Sequence, residues 1–397
     1  MRFSSRVEHI GGEGARAWDI HSRAVERIRQ GDDIILLSIG DPDFDTPPAI
    51  VDGAIAGLRG GNTHYIDVIG DPPLRHAIAR QHAALTGLDT TADQVAVFSG
   101  AQNALFAAAL CLLDDGDEVI APEPMYVTYQ ALVGASGARL VPVPSPRDND
   151  FHFDPKTIEA ALGDKTRAIL LNTPNNPTGA VLTRRELEAV AEICRAHDLW
   201  LISDEVYASL TFEADHISPC SLPGMAARTV TVSSLSKSHA MTGWRVGWTV
   251  SPRELVSHFE NLALCMLYGG PGFVHDGAVA ALTTDIAEIA EMKTEIRARR
   301  DLVCSLLANL PALECIRPDA GMFVMIDIRT SGLSAFDFAS RLLDEKAVSV
   351  LPADAFGPSA QGHLRIGLCT DQDRLRAACE RITAFALLLE SSSKTIV

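Results

Sequence analysis

The chain has 397 residues, 47% hydrophobic and 21% charged, enough to bury a substantial core and long for a single ordinary domain. Its 34 Lys and Arg stand against 51 Asp and Glu, a formal charge of −17, which excludes the basic face that nucleic acid or an anionic membrane requires. The opening MRFSSRVEHI has no apolar core of a signal peptide, and the strongest apolar run, ALFAAALCLL at 104–113, is too short to span a bilayer. A cytoplasmic protein is expected. Its eight cysteines show no C-x-x-C spacing, and several lie in apolar windows such as AALCLL and LALCML, so they are expected to be reduced and buried.

In chain order, GDPDFDTPP (40–48) reads as a segment crossing between two units, with the residues before it packed on the smaller one. VAVFSG (95–100) reads as a strand entering a glycine turn, and AQNALFAAALCLL as the helix that follows. DEVIAPEP (117–124) and TRAILLNTPNNPTG (166–179) read as strands running into turns. RRELEAVAEICRAHD (184–198) has apolar residues three and four apart, an amphipathic helix. LWLISDEVY (199–207) and RTVTVSSLS (228–236) again read as strand, then loop. Apolar strands alternating with helices predict an α/β fold with a mainly parallel sheet covered on both faces.

The last third changes character. A charged helix, EIAEMKTEIRARRDLVCSLLANL (288–310), leads to the strands GMFVMIDI and HLRIGL, a smaller α+β unit. The expected division is an N-terminal segment, 1–47, packing with the small unit, a large unit at 48–285 and the small unit at 286–397. Only SSSKTIV reads as unstructured.

Ligands of an open α/β sheet sit at the carboxyl ends of its strands. Ser99, Gly100, Ala101, Asn176, Asp204 and Lys237 all fall at such ends. Lys237, among Ser234, Ser236 and Ser238, is either a solvated loop lysine or an amine that attacks an aldehyde once its pKa is lowered. Asp204 ends a buried strand, where an unpaired carboxylate is costly and a protonated ring nitrogen is a good partner. Tyr207 lies within reach of the same ring. Asn176 sits in a Pro-Gly turn. SGAQNAL presents backbone N–H groups at a helix start, a phosphate seat that the serines and Arg245 would complete. Tyr126 in PEPMYVTY either stacks on a flat ring or is a loop aromatic.

In this order and spacing, GDPDFDTP, HYIDVIGDPPLR, PNNPTG, SDEVY, SLSKSHAMTGWRVGW and LRIGL resemble the class I, fold-type I, pyridoxal-phosphate aminotransferases over about residues 30–370. The resemblance implies a large cofactor-binding domain plus a smaller one, and pyridoxal 5'-phosphate as cofactor. It implies that Lys237 carries the cofactor and shuttles the substrate proton, that Asp204 keeps the ring nitrogen protonated, and that Tyr207 and Asn176 hold the ring oxygen. Tyr126 would stack on the ring. Ser99, Gly100, Ala101, Ser234, Ser236 and Arg245 would hold the phosphate. Tyr65 would reach the phosphate of a neighbouring subunit, making a homodimer with shared active sites. Arg365 would grip the substrate α-carboxylate, helped by Asn176 and Gly40. The partners implied are an amino acid and a 2-oxo acid, exchanged by ping-pong kinetics.

Two departures bear on the substrate. Relatives acting on aspartate often carry a lysine where this chain has Gln102, which argues against a dedicated dicarboxylate enzyme. The segment closing over the substrate side chain reads ARAWDIH, with Trp18 and Asp19. An indole and a carboxylate suit a guanidinium, by stacking and by a forked ion pair; a helix-start cap beside a packed tryptophan is the other reading. The stretches AWDIH, GNTHY, EPMYVTY, HDLW and ENLALCMLYG are similar to those of class members that transaminate L-arginine with pyruvate, so 5-guanidino-2-oxopentanoate and L-alanine are the expected products. The alternatives are an aromatic, broad-range or aspartate-type aminotransferase, a carbon–sulfur lyase on the same fold, and a cofactor-sensing regulator. The last is disfavoured by the acidic charge.

Overall fold

The computed structural model describes residues 2–4, 7, 10, 18–310 and 312–394. After the helix Asp19–Arg29 comes a short strand, β1 (Ile35–Leu36). The strands β2 (Val95–Phe98), β3 (Glu118–Glu123), β4 (Arg139–Pro144), β5 (Thr166–Asn172), β6 (Trp200–Asp204), β7 (Thr229–Ser234) and β8 (Gly247–Val250) form one sheet. Its order is β2-β8-β7-β6-β5-β3-β4. The pairs from β7 to β4 are parallel, and β8 runs antiparallel to both its neighbours.

Both faces of this sheet are covered. Val119, Ala121, Ala168, Leu170, Ile202, Val230 and Val232 enter one apolar cluster, while Ile120, Ile169, Leu171 and Leu201 enter another. That alternation is the period of two of a strand, and it explains why the strands read as unbroken apolar runs. Helix Ala101–Leu112 buries Ala104, Leu105, Ala107, Ala108 and Ala109. Its small side chains let it lie close to the sheet. Helix Arg184–Ala196 buries Leu187, Val190, Ala191 and Cys194 on the other face. It starts with a capping box in which Thr183 Oγ1 accepts from the Glu186 amide, while Glu186 Oε2 accepts from the Thr183 amide at 2.7 Å.

The remaining strands are β9 (Glu314–Ile316), β10 (Phe323–Asp327), β11 (Val348–Ser349), β12 (Leu351–Pro352) and β13 (His363–Gly367). An antiparallel sheet takes the order β12-β13-β10-β9, and β11 pairs in parallel with β1. Ile20, Ala24, Ile34, Ile35 and Leu37 share one core with Met292, Ile296, Phe338, Leu342 and Phe385. The crossing segment is tied at both ends: Arg299 forms a bidentate pair with Asp43, and Thr46 Oγ1 donates to the Ala240 carbonyl at 2.6 Å.

Two local expectations are corrected. Of the cysteines only Cys194, Cys220 and Cys379 are buried; Cys111, Cys304, Cys315 and Cys369 are half-buried, and Cys265 is exposed because helix Arg253–Met266 buries Leu255, Val256, Phe259 and Ala263 on the opposite face. The tail does not begin unstructured at Ser391: helix Gln372–Lys394 runs through it, seated by Leu375, Ile382, Phe385 and Leu389, and 395–397 lie outside the described residues. The two prolines of DPP open helix Pro72–Thr86, in the first turn where no intrahelical N–H is needed.

Candidate active site

A cavity of about 340 Å³ opens at the carboxyl edge of the large sheet. Asn172, Asp204 and Ser234, the last residues of β5, β6 and β7, line it. The loop after β7 brings in Lys237, whose Nζ donates to the Gly40 carbonyl at 2.6 Å. Burial holds the Lys237 ammonium below its usual pKa; Arg365 and Arg245 act in the same direction, while Cys369 and Asp41 oppose.

Asp204 is buried, and its neighbours are neutral donors. The Tyr129 hydroxyl donates to Oδ2 at 2.6 Å and the Val206 amide to Oδ1 at 3.3 Å. Burial raises its pKa to about 6 despite these bonds, and the adjacent Glu205 adds to the rise. Tyr207 lies buried on the same wall, its phenol pushed up by burial. Asn176 Nδ2 reaches the Tyr207 hydroxyl at 3.5 Å, and the Asn176 amide is anchored on Asn172 Oδ1 at 2.8 Å.

Arg365 comes from β13 and closes the far wall. Its Nη1 donates to Asn176 Oδ1 at 3.0 Å and its Nη2 to the Ser38 carbonyl at 3.2 Å, while its buried Nε has no partner. The guanidinium lies over Phe323 and Phe356, at 4.1 and 5.1 Å from their centroids. Burial lowers its pKa to about 10, still far above neutrality.

At the other end, helix Ala101–Leu112 starts after Gly100, with φ of +86° and no side-chain cap, so its first N–H groups are uncommitted to a cap. Arg245 sits against this turn, donating to the Ser99 carbonyl at 3.3 Å and the Thr242 carbonyl at 2.9 Å. A Cβ on Gly100 would strike the Arg245 guanidinium, and one on Gly247 would strike the Ala101 amide. Ser234 and Ser236 are buried alongside, joined by a 3.3 Å bond from the Ser236 amide to Ser234 Oγ.

Tyr126 lines the cavity edge-on to Tyr129, with centroids 5.8 Å apart. Gln102 also lines it and accepts from Thr128 Oγ1 at 3.1 Å. Trp18 lines it, packed against the apolar group that holds Phe356 and edge-on to His21 at 5.6 Å. Asp19 does not: it is exposed, the first residue of its helix, where its charge favours the helix dipole. Ser99 lies on the wall of a neighbouring, larger cavity of about 870 Å³, which shares Asp41, Thr242 and Arg245 with the first. Tyr65 stands outside both, 85% exposed, with its ring 5.1 Å from that of Tyr268. Tyr129 and Phe323 were not singled out by the sequence. The signal for Tyr129 is a second tyrosine one helical turn after Tyr126 in PEPMYVTY, facing a buried aspartate in want of a donor.

A family model described as aminotransferase class I and II matches residues 32–382, and the chain belongs to that family, making it a transaminase of a class that depends on pyridoxal phosphate. The arginine–pyruvate transaminase AruH of Pseudomonas aeruginosa is 56% identical over 97% of this chain and 98% of its own length. An aromatic-amino-acid aminotransferase of Thermococcus litoralis is 35% identical, covering 96% and 97%. Among solved structures, the aspartate aminotransferase of Thermus thermophilus with maleate matches with a TM-score of 0.91 at 34% identity, covering 97% of this chain and 100% of that one.

Proposed function

We propose that this chain transfers the amino group of L-arginine to pyruvate, giving 5-guanidino-2-oxopentanoate and L-alanine, with pyridoxal 5'-phosphate as cofactor. The observation that carries the substrate is the 56% identity to the Pseudomonas transaminase along nearly the whole chain.

The cavity fits the cofactor at three points. A buried carboxylate with neutral partners, Asp204, suits a protonated ring nitrogen. A helix start pressed against Arg245 so closely that a Cβ on Gly100 would fill the gap suits a phosphate. A lysine with a lowered pKa lines the same cavity. Bound there, the cofactor supplies an aldehyde for the amine and a ring that draws electrons from the substrate Cα.

The chain's own residues do the rest. Ser99, Gly100, Ala101, Ser234, Ser236 and Arg245 would hold the phosphate. Tyr126 would stack on the ring, and Asn176 and Tyr207 would fix its oxygen. Lys237 Nζ, its pKa lowered by burial, would take the Cα proton and return it one atom away. Arg365, with its unpartnered Nε and its plane set by Phe323, binds the α-carboxylate beside Asn176 and Gly40. Among the described residues no cation beyond Lys237, Arg245 and Arg365 lines the cavity, so a distal carboxylate has no dedicated partner from this chain. The larger cavity is walled by Val51, Ile55, Leu58 and Phe273 beside Arg245; in a homodimer a second copy would cover it, and the exposed Tyr65 would reach that copy's phosphate seat.

The test is product analysis. Protein supplied with pyridoxal phosphate, L-arginine and pyruvate should form 5-guanidino-2-oxopentanoate and L-alanine in equal amounts. Alanine formed from aspartate or phenylalanine but not from arginine would refute the substrate assignment and leave the class standing.

A further inference from the structure

We infer that Tyr129 is a positioning residue for the cofactor: by donating to Asp204 Oδ2 it fixes that carboxylate in place and keeps it ionised opposite the ring nitrogen. The inference rests on the proposed role of Asp204.

The geometry is specific. Tyr129 is fully buried, and its hydroxyl makes a 2.6 Å bond to Oδ2 across 75 residues of sequence. A phenol hydroxyl has one proton, and Asp204 takes it. The tyrosine opens helix Tyr129–Gly134, directly after the loop that carries Tyr126, so one short segment supplies both the ring-stacking aromatic and the support of the ring's ionic partner. The groups facing Asp204 are Tyr126, Tyr129, Tyr207 and Glu205. None of them is a cation. Glu205 disfavours a second charge beside it, and it is committed elsewhere, accepting from Ser203, Ser218 and His216 at 2.8, 2.8 and 3.0 Å. Burial pushes Asp204 towards its protonated form, and the Tyr129 bond pulls it back. Without that bond Asp204 would take up a proton more readily, and a neutral acid holds a protonated ring nitrogen less well.

A structural role alone would make the tyrosine's loss cost the same whatever residue stands at 204. The test is therefore a double-mutant cycle on cofactor affinity, read by titrating apoprotein with pyridoxal phosphate. Tyr129→Phe keeps the packed ring and removes only the donor. It should weaken binding about tenfold in the wild-type background, the scale of one hydrogen bond to a charged group. In the Asp204→Asn background it should weaken binding less than twofold. The cofactor absorbance of Tyr129→Phe should also titrate at a shifted pH, and kcat should fall with little change in KM. Equal losses in both backgrounds, or a wild-type affinity and titration for Tyr129→Phe, would overturn the inference. Should Tyr129→Phe fail to fold, 3-fluorotyrosine at 129, a stronger donor, should shift the titration in the opposite direction, and an unmoved titration overturns the inference. Failure of the wild type to bind pyridoxal phosphate would instead strike the role of Asp204 itself.

Discussion

Arg365 places its guanidinium 4.1 Å over the centroid of Phe323, while the same ring closes against Gly40, where a Cβ would collide with it. The aromatic ring thus sets the plane of the arginine and the backbone opposite to it. Removing the fork while keeping the charge should loosen every substrate alike. Arg365→Lys is expected to raise KM about a hundredfold for arginine and for alanine, since truncating a buried charge-paired group costs about 2–5 kcal/mol. Steady-state kinetics with both donors checks this.

Gly40→Ala should act from the other side of the same wall. Its Cβ forces the Phe323 ring away. Overpacking of this kind costs about 1–3 kcal/mol, so the variant should lose thermal stability as well as amino-acid affinity. Phe323→Leu in the same chain should recover part of both, read by melting temperature and KM.

The raised pKa of Asp204 has a consequence for the apoprotein. Its folded value is about 6 and its ordinary value is 3.8, so between these the native state holds a proton that the unfolded chain has lost. Stability from this group is present below pH 3.8 and lost as the pH rises through 6. The gap is worth about 3 kcal/mol. Apoprotein should therefore weaken relative to Asp204→Asn as the pH rises from about 4 to about 7, measured by the difference in melting temperature. A difference that stays flat contradicts it.

The parts of the site that follow buried strands are legible in the sequence. Asp204, Asn176 and Lys237 each come directly after an apolar run, because the carboxyl edge of a parallel sheet is where such runs end. Contacts that span the chain are not legible from the residues alone. Tyr129 meets Asp204 across 75 residues and Arg365 meets Asn176 across 189, and no local pattern encodes either distance. Trp18 and Asp19 show a finer limit. They are neighbours in sequence, yet one lines the cavity and the other faces solvent, since consecutive residues at a helix start point in different directions.

That difference predicts an order of effects. Trp18→Ala should lower kcat/KM for arginine about tenfold, by removing an aromatic wall on which the proposed substrate's guanidinium would stack. Asp19→Ala should change it less than about twofold, as expected of an exposed charge. Equal losses from the two would bring Asp19 into the pocket of the working enzyme.

The most direct test of arginine transamination is the first half-reaction, followed without any acceptor. Protein saturated with pyridoxal phosphate is mixed with single amino acids, and the change in cofactor absorbance is timed. L-Arginine should convert the cofactor much faster than aspartate, phenylalanine or lysine, and Lys237→Ala should be inert to all of them. Rapid conversion by aspartate or phenylalanine with none by arginine would contradict the assignment.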